Sequence, residues 1–223
     1  MKKYLLIAAA ALLVAVTANS QDVFKQQGGE KNFEALFTPL GDTPIGISGI
    51  KYRSFTSASN AWRATVSFGL NTTTSYSEMG DEELESSLSQ FDFTIAPGYE
   101  WHFAGTDRLS PYCGAEIGIG LGSVSSVTET FNGPEDIVEL ETSASFFEAG
   151  AGVFTGFDFY IADNLYLGAE INFGVTIVSQ GDTTTEFIDE EGNIDEMTTP
   201  GSSNFSIGED VVGAIRVGFL FNK

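Results

Sequence analysis

The chain has 223 residues, with 10 Lys+Arg against 31 Asp+Glu and a formal charge of −21. That balance excludes nucleic acid as a partner, since phosphate binding rests on lysine and arginine, and it argues against simple electrostatic docking on anionic lipid. A single cysteine, Cys113, leaves no intramolecular disulfide and no paired cysteine–histidine metal motif, while 25 glycines and 13% aromatics without a long helical period point to an all-β chain.

Lys2 and Lys3 precede an unbroken apolar run from Tyr4 to Val16. Ala18 and Ser20 then supply the small residues of a signal-peptidase site, so residues 1–20 are predicted to be removed before Gln21. The run falls short of the ~20 residues of a spanning helix. Losing two lysines and no acid makes the mature chain more acidic still.

Eight stretches then alternate with a period of two, at roughly 31–40, 45–56, 60–71, 89–103, 110–122, 145–160, 163–176 and 203–221. In FDFTIAPGYEWHF (91–103) every odd residue is apolar or proline and every even one is small, polar or charged. The parity of the second stretch is muddled between Ile45 and Ile50, which predicts a bulge. Connections alternate in length. GDTP, TSAS, AGTDRLS and YIADN are short, whereas 72–88, 123–144 and 177–202 are long and read as loops. Tight turns on one rim and long segments on the other are the pattern of a transmembrane barrel with an even strand count.

Alternation alone does not say which face is outside, since a soluble eight-stranded barrel holds its apolar face inward around a ligand. Volume decides. Five to seven apolar residues per strand, many aromatic, do not fit inside eight strands, whereas the glycine-rich polar face does. An apolar belt outside is a liability in water and a requirement in a bilayer. Trp62, Tyr99, Trp101, Phe103, Phe219 and Phe221 fall near the tight rim, as an interfacial aromatic girdle does.

The mature chain resembles the eight-stranded outer-membrane barrels of the OmpA-transmembrane and OmpX type. PYCGAEIGIGLG and GAIRVGFLF are similar to strands five and eight of such proteins. The resemblance implies an antiparallel up-and-down barrel over 31–221, multi-pass in the bacterial outer membrane. It also implies a periplasmic segment at 21–30 and long loops facing outward. Outer-membrane lipid and lipopolysaccharide are then the expected surroundings, and another envelope protein is an expected partner.

By parity Glu34, Asp92, Glu100, Glu116, Glu148, Asp158 and Glu170 point inward with Lys51, Arg53, Arg63 and Arg216. Two readings stand: an ion-pair network that plugs the barrel, or a narrow cation-preferring pathway lined by the same groups. Either aromatic side chains such as Tyr112, Phe154 and Tyr166 cover the inward glycines, or water fills the space. His102, the only histidine, lies inward at the tight end. A lipid hydrolase needs a serine, histidine and acid near the opposite rim, so the chain is not expected to be an enzyme. The long segments hold 17 of the 31 acids and no lysine or arginine. They read as a solvated surface or the acid bias of a salty habitat, as a docking face for a basic partner, or as a weak Ca²⁺ or Mg²⁺ surface. For the last, DEEGNIDE offers Asp189, Glu190, Glu191, Asp195 and Glu196. No other cofactor is expected.

Overall fold

The computed structural model describes residues 24–37, 47–79, 82–131, 137–189, 193–208 and 213–221; the signal peptide expected at 1–20 lies outside them. Every regular element among the described residues is a strand. They are β1 (Lys31–Phe37), β2 (Ile47–Ser57), β3 (Asn60–Met79), β4 (Glu82–His102), β5 (Leu109–Phe131), β6 (Ile137–Ala162), β7 (Leu165–Gln180), β8 (Thr183–Ile188), β9 (Ile194–Thr199), β10 (Ser203–Ile207) and β11 (Gly213–Phe221). β1 to β7 pair in succession, β11 pairs with β7, and β11 pairs back to β1 from Lys31↔Phe221 to Phe37↔Ile215. All pairings are antiparallel, so the expected eight-stranded barrel is present, with no free edge in the ring.

The bulge expected in the second strand is there. Leu36 pairs with Gly49 and Phe37 with Ile47, which leaves Ser48 as the extra residue. Two expectations are corrected. Residues 72–88, 123–144 and 177–202 are not open loops over most of their length. β3 and β4 stay paired up to Met79↔Glu82, and β5 and β6 up to Phe131↔Ile137. β8 and β9 add to the far end of β6, so a paired wall stands beyond the ring. The single strand expected over 203–221 is likewise two. Gly208 at φ +70° interrupts it, with β10 against the far half of β7 and β11 against its near half.

Along each ring strand the outer residues are large, apolar and exposed, including Phe68, Leu70, Ile117, Val153, Ile171 and Phe219. Their exposure is that of a lipid-facing belt, which must be apolar while every backbone group is satisfied within the sheet. Beyond Leu70, Phe91, Leu121 and Phe147 the outer residues turn mostly to serine, threonine and glutamate, Tyr76 and Val127 excepted. The polarity of the faces reverses there: Glu78, Glu83, Glu85, Glu129, Glu139 and Glu141 share the outer face, while Leu84, Leu88 and Leu140 sit on the inner one.

The tight end is closed by a small core. Phe55, Ala61, Tyr160, Tyr166 and Leu220 are buried there, with Phe24 packed against them. The segment before β1 turns at Gly29, whose φ of +91° suits only glycine, and its N–H donates to the Phe55 carbonyl. Gln26 is thereby buried across the floor, donating to Ala58 O and Ser110 Oγ and accepting from Tyr160 Oη.

Candidate functional site

The inner face of the ring gathers charge from eight strands into one cluster. Arg53 is fully buried at its centre. One Nη donates to Glu100 at 3.0 Å, the other to Asp158 at 2.8 Å and Tyr166 Oη at 2.6 Å, and Nε lies 2.5 Å from Glu34. Arg216, equally buried, reaches Glu34 at 2.7 Å and Asp158 at 2.8 Å. Arg63 bonds Glu170 at 2.8 Å, Glu100 at 3.2 Å and Glu116 at 2.5 Å, and Lys51 holds Glu170 at 2.9 Å. Glu34, Asp158, Glu100 and Glu170 thus each bridge two cations. Removing charges from water costs several kcal/mol per ion and is offset only when each lone pair and proton finds a partner. Alternating bridges with charge-assisted bonds meet that condition for most of the cluster, the Nε groups of Arg53 and Arg216 being buried without a hydrogen bond.

Nine of the eleven residues expected in the lumen meet in this cluster: Glu34, Lys51, Arg53, Arg63, Glu100, Glu116, Asp158, Glu170 and Arg216. Asp92 and Glu148 lie half-buried on the same inner face, farther from the tight end. Their separation matters electrostatically, because the cluster itself then holds five acids against four bases and is close to neutral.

Tyrosines supply bonds that charge-counting did not reveal. Tyr166 Oη donates to Glu34 and accepts from Arg53 and Asn32, while Tyr112 Oη donates to Glu170. Arg63 also stacks 3.4 Å over the Phe154 ring. The only sequence signal for these rings is a glycine directly across the sheet. Tyr166 faces Gly218, Tyr112 faces Gly156 and Phe154 faces Gly114, each ring occupying the space of the missing Cβ.

Beyond the cluster the inner face changes character. No ring covers Gly118, Gly150, Gly152 or Gly174; Asn172 stands over Gly152 and Thr176 beside Gly150, and a cavity of about 160 Å³ opens among them, edged also by Thr94, Glu116 and Glu148. Asn172 donates to Glu116 at 2.5 Å on its floor. The interior therefore has rings over glycine at the tight end, a cavity above them, and the Phe146 ring over Gly122 farther on.

His102 sits between Ser110 Oγ (2.9 Å from Nδ1) and Glu100 (3.1 Å from Nε2). The three residue types match a hydrolytic triad, but their setting does not. Ser110 is buried and already accepts from Gln26, and Glu100 is committed to Arg53 and Arg63. The chain of bonds ties the floor of the barrel to the ion cluster, as an inward histidine beside a carboxylate is expected to do.

On the outer face, Trp62, Tyr99 and Trp101 form edge-to-face contacts with centroids 4.8 and 5.1 Å apart. Phe103 and Phe219 are exposed, and Phe221 stacks on Phe33. All lie near the tight end.

In the wall beyond the belt, glutamates stand directly opposite one another: Glu78↔Glu83, Glu129↔Glu139, and Glu141↔Glu186↔Glu196 in one row of three. Like charges so paired destabilise a sheet. Glu186→Gln removes both contacts of that row at once. Backbone hydrogen exchange in β8 and β9 is expected to slow in this variant and to converge with the parent at high salt; equal exchange at low salt would refute the strain. Of the DEEGNIDE acids, Asp189 accepts from both Asn193 nitrogens, and Glu190 and Glu191 lie outside the described residues. Asp195 and Glu196 are consecutive in β9 and point to opposite faces, so they do not converge on one ion. Among the described residues no group of three or more His, Cys, Asp or Glu is placed to hold a metal.

No curated protein matches the sequence. Among solved structures, CarO of Acinetobacter baumannii is 11% identical with a TM-score of 0.38, the alignment covering 89% of this chain and 100% of that one. CarO2 of the same organism is 10% identical with a TM-score of 0.37, covering 88% and 100%. Residues 59–176, just over half of the chain, match the family described as "Putative OmpA-OmpF-like porin family". These residues run from the β2–β3 turn into β7, ending at Thr176, and include most of the lipid-facing belt and Arg63, Glu100, Glu116, Asp158 and Glu170 of the cluster. The chain belongs to this porin-like family of bacterial outer-membrane β-barrels.

Proposed function

We propose that the protein is exported by a signal peptide cleaved before Gln21 and works as a closed, non-enzymatic barrel whose business lies on its surface. The observation that carries this reading is the ion cluster. Arg53, Arg216, Glu34, Glu100 and Asp158 are all at 0–1% exposure, so the lumen is filled from wall to wall near its tight end. The surface reading draws on the wall beyond the belt, which carries carboxylates and no lysine or arginine. Its neighbours are lipopolysaccharide, with divalent cations between phosphate and carboxylate, and a basic region of another envelope protein.

Two measurements test this. In planar bilayers the purified protein is expected to be silent, and steady ion-selective steps would overturn the closed lumen. Cross-linking in intact cells followed by affinity capture is expected to recover a partner that is lost when Glu129, Glu139, Glu141 and Glu186 are changed to glutamine. Equal recovery from that variant would remove the acidic wall from the interaction. A second reading, a small cation-preferring channel, is favoured by the cavity edged by Glu116 and Glu148 above the cluster. It predicts conductance in the parent protein, diminished by Glu116→Gln.

A further inference from the structure

The lipid face carries a depression of about 550 Å³ between the ridges of its outer side chains. Its first row follows the sheet register from Trp62 to Tyr99, Ala115, Val153 and Phe173. The next row runs through Ile117, Ala151 and Val175. Ala115 and Ala151 end at Cβ, so they form the floor, and the flanking Trp62, Tyr99, Ile117 and Phe173 form the sides. At one side the β4–β5 ladder skips Ala96 and Pro97, passing from Ile95↔Ile119 to Gly98↔Glu116. Proline has no N–H to donate, and its ring lies along the depression.

The groove has a direction. Trp62 is at the start of β3, on the tight rim, whereas Phe173 is midway along β7. Four interstrand steps separate them, about 19 Å at ~4.8 Å each. One leaflet of hydrocarbon is about 15 Å thick. The path runs across the strands, and their tilt of about 35–45° makes it climb about 11–14 Å from the aromatic rim, most of one leaflet.

We propose that this groove is a binding site for one acyl chain of a phospholipid in the leaflet on the tight-turn side, its headgroup held beside Trp62 and Tyr99. The occupant follows from continuity with the belt, whose only neighbour is lipid. The wall behind the groove supports it. Gly152 faces Gly174, neither with a side chain of its own, and the same residues line the luminal cavity, so backbone with the Asn172 amide over Gly152 is what separates the two spaces. A retained chain seals the barrel where it is thinnest.

Native mass spectrometry of the full barrel, released from a mild detergent, tests the proposal. The parent is expected to keep one phospholipid mass per chain. Ala115→Phe with Ala151→Phe fills the groove and is expected to lose it, whereas Ala169→Phe, on the lipid face outside the groove, is expected to keep it. Heat-modifiable gel migration confirms that each variant is folded, and single Ala115→Leu replaces the double variant if that one is not. A bare parent, a filled groove that retains lipid equally, or a mass of two chains in place of the adduct would each overturn the site.

Discussion

Arg53→Ala is expected to destabilise the barrel by about 3–5 kcal/mol, the range for stripping one partner from a buried ion pair. The deletion reaches well beyond one contact. Glu34, Glu100 and Asp158 each lose a guanidinium nitrogen within 3.0 Å, and Tyr166 loses one of the two donors to its hydroxyl. All of these groups are at 0–1% exposure, so bulk water does not stand beside them to replace it. Urea unfolding from lipid vesicles measures the loss, and the heat-modifiable band is expected to convert at lower temperature. Asp158→Asn placed on the Arg53→Ala background is expected to recover part of it, because Asp158 there keeps only Arg216 and the change removes one of the excess buried carboxylates. A cost below about 1 kcal/mol, the value of an exposed pair, would mean that the cluster is hydrated.

The second large effect is expected at a residue with no side chain. Gly218 lies in register between Glu34 on β1 and Tyr166 on β7. A Cβ there would occupy the space of the Tyr166 ring and hydroxyl. Gly218→Val therefore combines overpacking, about 1–3 kcal/mol, with displacement of the hydroxyl that joins Asn32, Arg53 and Glu34. Each buried group left without its bond adds about 1–3 kcal/mol. Loss of the folded band after refolding into vesicles is the expected outcome. Gly118→Ala is the matched control, since its new methyl meets nothing nearer than Ala96 Cβ at 3.8 Å. Equal behaviour of the two variants would refute the argument.

The belt and the cluster were legible because side chains alternate along every unbulged stretch of strand, so one assigned residue fixes the face of its neighbours. That is why Glu34 on β1 and Arg216 on β11 were placed on one inner face from parity alone, 182 residues apart in the chain. The same rule failed beyond Leu70 and Phe91. Segments such as NTTTSYS are polar on both faces, and a strand without a lipid side carries no alternation to read. Threonine and tyrosine propensity was the remaining signal there, and it competed with a strong prior for loops. The break at Gly208 was hidden because the alternating positions on either side of it keep the same look. Asn32, Ser110 and Gln26 were missed for another reason: their contribution is a matter of who sits opposite, which no periodicity records.

The reversal of polarity between belt and wall gives the molecule a waterline. Sliding inward along its strands would drag Glu85, Glu129, Glu139 and Glu141 toward hydrocarbon, and sliding outward would lift Leu70 and Phe91 into the aqueous layer. Both directions are uphill, so the restoring force on depth comes from side chains on the strands themselves and needs no anchor elsewhere. The height of the acidic wall above the lipid is thereby set to within a residue or two. Whatever meets that wall does so at a fixed distance from the membrane.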